Sequence, residues 1–173
     1  GQRDTAIGLY EGALAISNEA GDRPLECVSR CHLGNAYVKL GKYSKAIEHH
    51  EKALKISTEI PDRHLEGVSL GNLGNACQCL GQYSKAIEYH KKALKISIEI
   101  DDRELESNSL ANLANLRHQL GRSTQASENH RNLGNAYEKL GEHGKANEHH
   151  ETALKSSTEI PDRHLEGVSL GNL

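Results

Sequence analysis

The sequence has no Phe, no Trp and no Met. Its only aromatic side chains other than histidine are six Tyr. A single thick core built on large side chains is therefore excluded. Apolar content is only 36%, so whatever core exists must be sealed by small residues. Low aromaticity also accompanies disorder, but the regular apolar spacing described below argues against it. No apolar run approaches the roughly 18 residues needed to cross a bilayer, and no charged, apolar, then small-residue leader opens the chain. The chain does not begin with Met and opens inside a repeat, so it reads as a fragment of a longer array. The four cysteines, Cys27, Cys31, Cys77 and Cys79, do not recur at any fixed interval. No disulfide framework follows from them, and a reducing, cytoplasmic setting is expected. The net charge of −3 comes from mixed signs and leaves no basic footprint for nucleic acid.

What the sequence does have is a period. Leu33–Ser57 returns forty residues later as Leu73–Ser97, with less perfect copies on either side. Each copy reads as two amphipathic helices. Leu65, Val68, Leu73, Ala76, Cys77 and Leu80 keep helical spacing on the first. Tyr83, Ala86, Ile87, His90, Leu94 and Ile98 form one stripe on the second. Gly41 and Gly81 stop the first helices. At the other joint stand Asp22-Arg23, Asp62-Arg63, Asp102-Arg103 and Asp162-Arg163. Asp suits an N-cap because its carboxylate accepts from the free amides of the first turn. Pro24 suits that first turn, and Pro61 and Pro161 close the helices before their joints. These signals predict helices of about 19 residues, about 28 Å long. The two- or three-residue connections make neighbouring helices antiparallel.

Leu33-Gly34, Tyr37, Gly41, Tyr43, Ala46, Ala53 and Leu54 resemble the tetratricopeptide repeat (TPR) signature. So do Leu73-Gly74, Gly81, Tyr83, Ala86, Ala93 and Leu94, although the usual first-helix Trp is absent. The forty-residue variant, with its LGNAY, YSKAIEYH and ALKIS segments, is similar to the repeats of the Pins/LGN spindle-orientation adaptors. It also resembles other repeat arrays of animals and bacteria. The resemblance implies an all-α fold: a right-handed α-solenoid of antiparallel helix hairpins, about four pairs with incomplete units at both ends. Residues 1–173 are then one TPR array.

The array contains one departure from its period. The copy that begins at Leu133 starts only 20 residues after Leu113, so residues matching Lys91–Leu110 are missing. At His130-Arg131 the front of a second helix runs into the back of a first helix. No breaker stands there, and Ala126, His130, Leu133, Tyr137 and Leu140 continue one stripe. A single fused helix is predicted over about 123–140. The next helix, near 142–160, carries second-helix sequence out of phase. A deletion and a structural adaptation both account for the join.

In helical-pair solenoids the first helices line the concave face. On them recur Asn35, Asn72, Asn75, Asn112 and Asn115, followed by Asn132 and Asn135. Asn72/Asn75 and Asn112/Asn115 are spaced i, i+3 and share a face; His32/Asn35 is the corresponding first pair. Asn is a poor helix former, and its amide both donates and accepts. Such a ladder can hold a peptide backbone in the groove. Bonds to neighbouring helices, or recent duplication, would account for the same residues. A carboxylate clamp would need Lys or Arg beside them, whereas Cys31, Gly71 and Ala111 stand there.

The remaining residue types offer packing rather than chemistry. There are eleven His, two doublets among them (His49-His50, His149-His150). Neighbours on a helix point about 100° apart, so a doublet cannot chelate as a pair, and no metal site or cofactor is expected. Cys27 and Cys31 are i, i+4 and suit a core; Arg117 suits a buried stem with a solvated head. No nucleophile elbow and no phosphate loop is present, so no enzyme activity is expected. The expected role is a non-catalytic scaffold or adaptor that binds a protein or peptide in the concave groove, without nucleic acid or membrane partners. A purely structural spacer is the rival, self-associating through apolar helix faces at uncapped ends.

Overall fold

In the computed structural model, backbone is described for residues 2–120 and 123–158, and side chains for 5–120 and 128–155. Those residues form eight α-helices: α1 Gln2–Ala20, α2 Arg23–Lys39, α3 Tyr43–Glu59, α4 Arg63–Cys79, α5 Tyr83–Glu99, α6 Arg103–Gln119, α7 Ser123–Lys139 and α8 His143–Thr158. There is no strand among them. The joint at Asp162-Arg163 and the repeat copy that follows lie outside the described residues.

The interior helices, α2 to α7, are 17 residues long rather than about 19. The difference is the joint itself. After α2, Gly41 turns left-handed at φ +70°. Its amide then donates to the Val38 carbonyl at 2.9 Å, and the Lys42 amide donates to Tyr37 at 2.9 Å. This is the Schellman pattern, which satisfies the last carbonyls of a helix at the cost of ending it. The other joint is capped from the far side. Asp22, Asp62 and Asp102 accept from the amides of Leu25, Leu65 and Leu105 at 3.0, 2.9 and 2.9 Å.

The chain divides into two compact units, residues 1–112 and 113–173. In the first, each helix from α1 to α5 packs on the next, and α2 also touches α4. Its layers are thin. Leu33, Leu73, Ala46, Ala53, Ala86 and Ala93 are fully buried. Cys27 and Cys31 join Ala53 and Ile56 in one cluster, and Leu70 joins Ala93 and Ile96 in the equivalent place. The close approach rests on glycine. A Cβ on Gly34 would lie 2.4 Å from the His50 ring, and one on Gly74 would lie 2.6 Å from the His90 ring. Histidine thus takes the large second-helix position because glycine leaves it room. Arg23 pairs with Glu59 and Arg63 with Glu99, fastening α2 to α3 and α4 to α5 at the surface.

In the second unit α7 packs on α8. The helix α7 passes through His130-Arg131 without a break. Gly134 meets His150 as Gly34 meets His50, with an added Cβ 2.5 Å from the ring. Arg117 donates to Asn129 at 2.7 Å, so its head is held rather than merely solvated.

Candidate functional site

The first helices place the asparagines. In the first unit α4 and α6 lie side by side, close enough that a Cβ on Gly67 would meet Leu105 at 2.5 Å. Asn72 and Asn75 come from α4, and Asn108 and Asn112 from α6. All four line one cleft of about 290 Å³. Spacings of three and four bring each pair onto one helix face. Ser109, Val68, Leu105 and Ala111 complete the walls. Gly71 widens the cleft, because nothing lies within 4 Å of where its Cβ would be.

No Lys, Arg, Asp or Glu lines this cleft. Its single titratable group is His90, from α5, with no exposed surface. Neither His90 ring nitrogen has a hydrogen-bond partner. Burial pushes its pKa down to about 4, so the ring is neutral at physiological pH. The cleft therefore offers amides, one hydroxyl and apolar surface. An amide wall can donate to carbonyls and accept from N–H groups at once, the two needs of an extended main chain.

The other expected residues are distributed differently. Asn35 lines a separate concavity of about 190 Å³ between α1 and α2, with Tyr10, His32 and Lys39. There Tyr10 stacks on His32 at 5.1 Å between ring centres. Asn115 is exposed on the part of α6 that belongs to the second unit. Asn132 and Asn135 are exposed on α7. Asn108 is the residue the sequence reading passed over. Its repeat equivalents are Val28 and Val68, so the period concealed it. The signal lay instead in its i, i+4 relation to Asn112.

Elsewhere the polar groups serve packing. The Cys27 thiol donates to the Ala53 carbonyl at 3.3 Å. Its bond to Cys31 and its burial push its pKa up, which keeps it protonated and inert. Among the described residues, no three His, Cys, Asp or Glu side chains converge to hold a metal ion. No described helix is long and apolar enough to cross a membrane.

The tetratricopeptide repeat family model matches residues 1–59 and 65–131. The chain belongs to the tetratricopeptide repeat family. Solved structures agree on the fold of this TPR chain. A Rap protein complexed with Competence and Sporulation Factor matches with a TM-score of 0.81 at 17% identity, over 92% of this chain and 45% of that one. Aspartyl phosphate phosphatase F from Bacillus subtilis matches at 0.71 and 20%, over 84% of this chain. The TPR chain spans only 38% of that phosphatase. Nearly identical TPR-like repeats from Podosopora anserina match at 0.65 and 21%, over 93% and 90%. At these identities the likeness is one of fold. No curated protein matches the TPR chain by sequence.

Proposed function

We propose that this chain is a non-catalytic protein–protein interaction module that holds an extended peptide segment in the cleft between α4 and α6. One observation carries the reading: four asparagine amides from two neighbouring helices line one uncharged cleft. Asn72 and Asn75 face the peptide from one side, Asn108 and Asn112 from the other. They bond its main chain, so the cleft selects an extended, uncharged stretch more than a particular sequence. Asn35 adds a contact outside the cleft. The Rap protein of similar fold is itself complexed with Competence and Sporulation Factor, which supports a binding role for this architecture. A scaffold or adaptor role like that of the Pins/LGN repeats is consistent with this mode of binding.

The test is a peptide-display selection against the full chain. The expected result is enrichment of short peptides without charge clustering. Replacing all four cleft asparagines with alanine should abolish their capture while circular dichroism stays helical. If the enriched peptides bind the fourfold variant as well as the parent, the reading is wrong. If nothing is enriched, a spacing or self-associating role takes its place.

A further inference from the structure

The space between α4 and α6 is not uniform along their length. At Gly67 the two helices meet so closely that an added Cβ would lie 2.5 Å from Leu105. One turn further along α4, nothing lies within 4 Å of the same point on Gly71. The repeat equivalent of Gly71 on α6 is Ala111, so both helices carry a small side chain at this position of the cleft. Val68 and Leu105 supply the larger apolar walls. The residues that follow Gly71 and Ala111 are Asn72 and Asn112. An apolar notch therefore lies beside the amides that line the cleft.

An extended main chain points successive side chains to opposite sides. When the asparagines hold such a chain, every second side chain is directed into the cleft. A charged side chain placed there would give up its water and meet no opposite charge, because no Lys, Arg, Asp or Glu lines the cleft and His90 is neutral. An aliphatic side chain has no such loss and gains from leaving water. We propose that the notch at Gly71 is a side-chain pocket for an aliphatic residue, Val, Leu or Ile, of the peptide held in this cleft. The ligand class is then an uncharged, extended segment with one aliphatic anchor. This rests on the peptide-binding reading above and adds to it one position at which the ligand's sequence is read.

Gly71→Leu fills the notch from the protein side. The variant keeps its fold, because Gly71 lies inside α4 with open space at its Cβ position and leucine is the better helix former. Peptides selected on the full chain are expected to share Val, Leu or Ile at one position. Synthetic versions, acetylated and amidated, are then compared by fluorescence anisotropy. Changing the shared residue to Ala should weaken binding to the parent chain at least about tenfold, and changing it to Lys should abolish it. Gly71→Leu should bind the aliphatic peptides at least about tenfold more weakly than the parent does, yet bind the Ala versions as well as the parent does. The pocket is overturned if the selected peptides share no aliphatic position, or if Gly71→Leu keeps the parent's affinity and preference. In either case the peptide-binding reading still stands if the fourfold asparagine variant loses those peptides. If that variant binds them as the parent does, or if no peptide is selected, the reading falls and the pocket with it.

Discussion

At Gly74 a hydrogen atom is the only side chain that fits beside His90. Gly74→Ala would set a methyl group 2.6–2.8 Å from that ring. Overpacking of a well-filled core costs about 1–3 kcal/mol, so the thermal midpoint should drop. His90→Ala in the same background should return much of the loss, whereas independent sites would simply add. His90 also sets a pH dependence. Its pKa is about 4 in the folded chain and close to 6.5 when unfolded. Between those values the unfolded chain binds more protons. Stability is therefore fully present above about pH 6.5 and falls as the pH drops toward 4, by roughly 3 kcal/mol. Urea midpoints across this range should show the slope, and His90→Phe should flatten it. His49, His130 and His149, also lowered by burial, act with the same sign.

At the scale of the helix, the joints carry the signals. Removing the cap in Asp62→Ala frees the Leu65 amide and should cost about 1 kcal/mol; chemical denaturation would measure it. The opposite sign is expected at Asp101. This residue sits at φ +57°, the place taken by glycine at 21, 41, 81 and 141. A left-handed conformation strains a residue that carries a Cβ. Asp101→Gly should therefore stabilise by about 0.5–1 kcal/mol, unless the surface pair with Arg103 outweighs the relief, and such exposed pairs contribute little. The joints were legible in the sequence because glycine and aspartate act locally. The interior helices are two residues shorter than the spacing predicts, because a Schellman turn converts the last apparent turn of a helix into a joint. Helix α7 depends on an absence: between Ser123 and Lys139 the one glycine, Gly134, faces His150, and there is no proline. A helix whose packing face continues has no reason to stop.

At the scale of the molecule, the uncharged cleft makes a prediction of its own. Peptide binding should change little between about 50 mM and about 500 mM salt, since screening acts on charges the cleft does not have. A steep loss of binding with salt would instead point to Lys39 and the concavity around Asn35. The sequence by itself determined the all-α repeat architecture, the place of the joints among the described residues and the asparagine-bearing helices. These follow from periodicity, capping and turn chemistry, which act between residues close in the chain. It did not determine which asparagines meet. Asn72, Asn75 and Asn112 come together with Asn108, while Asn35 lines another concavity and Asn115 belongs to the other unit. Nor did it disclose that glycine makes room for buried histidine, or that the join stacks His130 on His149. Those outcomes depend on the distance and rotation between packed helices, so only the tertiary structure decided them.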